Sequence, residues 1–111
     1  MEGVYLTSHF SLEAVSTKLG RRFVAKFNKK YKRDPHGFAA LGGDAYFILT
    51  GAINRAKSTE GPKIRAALIE TRNSRGVTGT IKIEEGGKTV KSLVVIRVKN
   101  GKFHYVTTVN P

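Results

Sequence analysis

Cysteine is absent from the chain. Without it there is no disulfide framework, no thiolate metal site and no cysteine nucleophile. Acidic residues are scarce: eight Asp and Glu stand against twenty Lys and Arg, a formal net charge of +12. Such an excess attracts anions of every kind, including nucleic acid and anionic membranes, and says nothing about fold or catalysis. No apolar run approaches the roughly 20 residues that span a bilayer. The first residues, Met1-Glu2-Gly3-Val4-Tyr5, carry no basic stretch followed by an apolar one, so they do not read as a signal peptide. That start fits a cytoplasmic protein, a mature form or a fragment. Repeats and low-complexity tracts are also missing.

What is present is ordinary for a folded chain. Hydrophobic residues make up 40% and charged residues 25%, too apolar for a disordered polymer. With 111 residues, one small domain or fragment with a modest core is expected.

The hydrophobic pattern divides the chain into a first part, 3–75, and a second, 76–111. Gly3–Thr7 reads as a short strand. Ser11 is placed to cap a short helical stretch through Leu12, Ala14 and Val15. A firmer helix follows over about Gly20–Tyr31, with Phe23, Val24, Phe27 and Tyr31 on one stripe. Asp34-Pro35 ends it, because the residue before proline avoids the helical region. The next helix has the clearest period: Ala45, Ile48, Leu49, Ala52, Ile53 and Ala56 recur at helical spacing. Tyr46 and Phe47 widen the stripe, which predicts burial on more than one side. Pro62 suits the first turn of a further helix to Thr71. Beyond Arg75 the pattern alternates. Val77–Glu84, Ser92–Val98 and Phe103–Val109 read as strands, and Asn100-Gly101 is a two-residue hairpin signal. The expected fold is α/β: a strand, three to four helices, and a three-stranded antiparallel meander.

Catalytic constellations are not found. His9, His36 and His104 stand far apart and have no partner at metal-ligand spacing. Asp34 and His36 flank a proline turn, Ser8-His9 are merely adjacent, and Glu84-Glu85 sit at a solvated hairpin. No enzyme, cofactor or metal is expected. Gly42-Gly43-Asp44 lacks the Lys and Ser/Thr of a phosphate-binding loop, and Asp44 places negative charge where an anion would sit. Asp44 reads instead as the N-cap of the following helix, with Gly43 leaving the approach uncrowded.

From Lys18 to Arg33 there are eight Lys or Arg and no acid. This reads as a solvated helix face. The alternative is a stand-alone nucleic-acid-binding domain acting through Lys18, Arg21, Arg22, Lys26, Lys29 and Lys30. Non-specific binding of anions or nucleic acid at low salt is expected in either case.

Several motifs, in order, form a pattern: Phe27, Tyr31 and Pro35; Ala40 and Asp44-Ala45; Ala52-Ile53; Ile64 with Ala67-Leu68; Gly76, Gly79 and Ile81; and Gly101, Lys102, Phe103 and Val106. From Gly3 to Pro111 this order resembles the C-terminal third of the type I periplasmic binding proteins, the branched-chain amino-acid branch in particular. The resemblance implies an extracytoplasmic receptor that delivers an amino acid to an ABC permease, with two lobes closing on the ligand. It implies that the first strand lies near a crossing between lobes, and that Thr7, Ser8, His9 and Phe10 lie near the hinge and cleft mouth. It sets Gly43 where the family keeps an aromatic wall beside the ligand. Ser8, His9, Gly43 and Asp44 are therefore the candidate ligand-binding residues. The family's chains are much longer, so this one is expected to be a fragment with an incomplete pocket. Apolar faces around Phe27, Ile48 and Ile53 would be left exposed, and self-association by exchange of elements is expected. A further reading is an assembly fragment with no ligand function.

Overall fold

The computed structural model describes residues 1–111. Strand β1 covers Tyr5–Ser8, followed by a single 3-10 turn at Leu12–Ala14. Helices α1 (Lys18–Tyr31), α2 (Gly37–Ala56) and α3 (Gly61–Ile69) come next. Strands β2 (Ser74–Arg75), β3 (Thr80–Ile83), β4 (Thr89–Lys91), β5 (Leu93–Lys99) and β6 (Lys102–Val109) complete the chain.

These strands do not form one meander. β5 lies between β1 and β6 in one antiparallel sheet, while β2, β3 and β4 make a second. The hairpin at Asn100-Gly101 forms as expected: both residues have positive φ, at 53° and 72°, the geometry of a tight type I′ turn. The third member of that sheet is β1, pairing Tyr5 with Arg97 and Ser8 with Val94. β3 pairs with β4 across Ile81–Lys91. The reason is the run Val94–Ile96 in β5: an apolar strand needs partners on both edges, and β1 supplies the second.

The molecule is thus built of two halves. One is the β1–β5–β6 sheet. The other holds the three helices and the β2–β3–β4 sheet. The chain passes between them twice, from Ser8 to Thr17 and at Ser92. The core is thin: 15 of 111 residues are buried, and the largest side chain to be fully enclosed is that of Ser92. The radius of gyration is 15.6 Å, against about 13 Å for a compact domain of this length.

Helix ends follow local chemistry. Thr17 Oγ1 accepts from Gly20 N at 2.9 Å and donates to Gly76 O at 3.0 Å, capping α1 and tying it to the loop before β3. Ser11 makes no side-chain cap. Lys32, rather than Asp34-Pro35, ends α1: it takes the left-handed conformation and donates its N–H to Asn28 O.

Helix α2 corrects the expectation most. It starts at Gly37, and His36 is its cap, with Nδ1 accepting from Ala39 N at 3.3 Å. Asp44 is two turns inside and caps nothing. A pair of glycines is tolerated there because Gly43 meets the ring of Phe23 on α1: a Cβ at Gly43 would stand 2.7 Å from Phe23 Cε2. Close helix contact offsets the poor helix propensity of glycine. Nor is α2 buried on more than one side. Ala40, Asp44 and Ala52 are buried, whereas Tyr46 is 63% and Leu49 44% exposed.

Candidate functional site: a cleft between the two halves

β1 ends at Ser8, directly where the chain leaves the sheet for the helical half. Ser8 Oγ closes a local turn, donating to Phe10 O at 3.3 Å and accepting from Phe10 N at 3.4 Å. His9 projects into solvent beside it. Opposite stands the first turn of α2, held by the His36 cap and by Pro35, which is buried. Ser8, His9, His36, Gly37, Phe38 and Leu41 line an open cavity of about 410 Å³. A second cavity of about 340 Å³ adjoins it, sharing Ser8, His36 and Gly37 and reaching Ile96 and Phe103 on the sheet. Together they form a cleft between the halves. Phe38 is 82% exposed at its edge. His36 and Phe38 meet edge to face at 6.3 Å.

The four sequence candidates separate. Ser8 and His9 line the cleft. Gly43 faces Phe23 on the other side of α2. Asp44 is a buried structural knot. Its carboxylate accepts from Val77 N at 2.5 Å, from Thr78 N at 3.2 Å and from Thr78 Oγ1 at 2.5 Å. This charge replaces the water that these donors lose on burial. His36, Phe38 and Leu41 were missed, because the chain before Asp44 was read as loop. Moving the helix start to Gly37 would have found them: Pro35 and a His cap immediately precede it.

Behind the cleft the two crossings are tied. Lys91 Nζ donates to Ser92 O at 2.8 Å and to His9 O at 3.4 Å. Burial pushes its pKa below the ordinary 10.5, opposed by attraction to Asp44. Ser92 Oγ donates to Asn110 Oδ1 at 2.8 Å and accepts from Thr80 N at 3.1 Å, so it joins the two sheets at the second crossing. No group of three His, Asp or Glu comes close enough to hold a metal. No helix is long and apolar enough to cross a membrane.

The family model for periplasmic binding proteins matches residues 1–102. The chain belongs to the periplasmic binding protein family. It is similar to a leucine-binding protein from Thermotoga maritima, at 40% identity and TM-score 0.85 over 99% of this chain. A branched-chain amino-acid ABC-transporter protein from Rhodospirillum rubrum is 34% identical over 95%, with TM-score 0.79. The branched-chain amino-acid substrate-binding protein of Streptococcus pneumoniae, solved with isoleucine, is 27% identical over 96%, with TM-score 0.80. This chain spans about a third of each: 31%, 31% and 30% of their lengths. A search of curated proteins found no match. Solute-binding proteins of this family are not enzymes. The basic face of α1 gains no support as a nucleic-acid surface from these findings.

Proposed function

We propose that this chain supplies one wall of the ligand cleft of an extracytoplasmic ABC-transporter receptor for amino acids of the leucine, isoleucine and valine type. The observation that carries this reading is the cleft itself. It lies between two halves joined by two short crossings, and Ser8 and His9 stand at the first crossing. The α2 N-terminus faces them with free N–H groups suited to a carboxylate, and Phe38 and Leu41 offer apolar surface to a side chain. The wall is open, so 111 residues alone do not enclose a ligand, and the permease would be met only by a receptor with both walls.

The test is a chimera in which this chain replaces the corresponding third of the Thermotoga leucine-binding protein. Calorimetry is expected to show stoichiometric leucine binding. Phe38→Ala and Ser8→Ala should each weaken it by about tenfold, the worth of one good contact. The isolated chain should give little heat. A folded chimera that binds no branched-chain amino acid would overturn the proposal, as would tight leucine binding by the isolated chain.

A further inference from the structure

Both crossings between the halves end on one short stretch, Gly76–Thr80. The first crossing ends at Thr17, whose Oγ1 donates to Gly76 O at 3.0 Å. The second is at Ser92. Its N donates to Thr80 O at 3.0 Å, and its Oγ accepts from Thr80 N at 3.1 Å. The same Oγ donates to Asn110 Oδ1, just past β6. Helix α2 is fastened to this stretch through the Asp44 carboxylate, which accepts from Val77 N and from both donors of Thr78. Gly76 N donates to Gly79 O at 2.9 Å and closes a tight loop. Glycines allow these approaches. A Cβ at Gly76 would run into the Asp44 carboxylate, and one at Gly79 would stand 3.0 Å from Ser92 Cβ.

We infer that this loop is the fixed base of the hinge. Through the hydroxyls of Thr17 and Ser92 it locks both crossings to the helical half, and so sets how the walls of the cleft stand to each other. Three observations select it. The first is burial. Gly76, Val77, Thr78 and Ser92 are buried, and no buried side-chain polar atom of the chain lacks a partner. Parting these bonds would strand donors and acceptors away from water, a cost that exposed bonds do not carry. The second is contrast. No residue from His9 to Ser16 is buried, so bending falls on that stretch, between the loop and β1. The third is space. A cavity of about 280 Å³ opens where the loop, the first crossing and the sheet meet, lined by Ala14, Val15, Thr78, Val94 and Tyr105 among others. Side chains of the two halves do not fill it, so the orientation is left to the hydrogen bonds rather than to packing there. Every group in the lock belongs to this chain, so nothing beyond these 111 residues is needed to complete it.

The orientation of the halves can be read without a ligand. The chain has no cysteine of its own. Nitroxide labels on Arg65→Cys in α3 and Lys102→Cys in β6, both exposed positions, report the separation by pulsed electron resonance. The parent should give one narrow distance distribution. Ser92→Ala and Thr17→Val should each widen it at least about twofold, and Thr17→Ser, which keeps the hydroxyl, should stay narrow. Thr50→Val, which removes a hydroxyl bonded only within α2, should leave the width unchanged. A parent-like width in whichever of Ser92→Ala and Thr17→Val folds would overturn the inference. So would a broad parent, or a Thr17→Ser as broad as Thr17→Val. In the leucine-binding chimera, Ser92→Ala should weaken leucine binding about tenfold, because fewer molecules hold both walls in the competent orientation. Unchanged affinity there would refute the coupling of the loop to the cleft. That second arm rests on the receptor reading, and the label distances do not. A parent chimera that binds no leucine while the distances behave as stated would sink the reading and uphold the hinge base.

Discussion

Strand β5 and helix α2 are both apolar, yet they are treated differently. β5 runs between β1 and β6, and Val94, Ile96 and Val98 are all buried on one face. α2 is nearly three times as long and buries only Ala40, Asp44 and Ala52. A strand is sealed by neighbours that hydrogen-bond to both its edges. A helix satisfies its own backbone and can stand with one side covered. Apolar sequence therefore sets what an element can bury. The number of partners it finds sets what it does bury.

The largest break in this contrast should come from the one polar side chain that anchors α2. Asp44→Ala leaves Val77 N, Thr78 N and Thr78 Oγ1 without their acceptor, and should cost about 4 kcal/mol in urea unfolding. Asp44→Asn, which keeps an acceptor oxygen, should cost roughly half as much. Equal losses would mean that the carboxylate charge contributes nothing.

The next effect compares the two apolar elements directly. Ile96→Ala in β5 should cost about 3 kcal/mol, whereas Leu49→Ala on the bare side of α2 should stay within about 0.5 kcal/mol. Similar losses at both sites would show that the exposed stripe of α2 is covered within the monomer.

A smaller effect tests why α2 can contain Gly43 at all. Alanine there gains helix propensity of about 1 kcal/mol, but its methyl would meet the Phe23 ring at 2.7 Å, and such overpacking costs about 1–3 kcal/mol. Gly43→Ala should therefore destabilise slightly, and Phe23→Leu should turn it stabilising. A stabilising Gly43→Ala in the parent chain would show that the two helices can part without loss.

The smallest effect lies at the tie between the halves. Burial of Lys91 lowers its pKa from 10.5 in the folded chain. The unfolded state then binds more protons just below that value, so this residue's contribution to stability rises as pH climbs toward 10.5. Comparing Lys91→Met with the parent by urea unfolding at rising pH isolates the contribution. The variant should lose part of the parent's rise in stability with pH. Parallel curves would refute the assignment.

Much of this architecture was legible. Helix α1, most of α2, and the Asn100-Gly101 hairpin follow from period and turn chemistry, which act over a few residues. The boundary of α2 was not, because a glycine pair next to an acid imitates a cap, and only the Phe23 contact explains glycine in mid-helix. The meander was misread for a related reason: β1 lies some 90 residues before β5, and alternation cannot say which distant strand pairs with which. At the site, Ser8 and His9 were found through family resemblance. His36 and Phe38 were hidden by the misplaced helix start.

The sequence by itself determined an α/β chain, its strong positive charge, the lack of thiol chemistry, and membership of a receptor family through the order of its motifs. The first three are properties of composition and of local periodicity, and the last came through resemblance to a known family. The tertiary structure decided that Asp44 is a buried anchor, that Gly43 is filled by Phe23, and that the strands divide between two sheets with a cleft at their junction. Each of those depends on which distant surfaces meet, and the free energy of such meetings is not written in any short window of the chain.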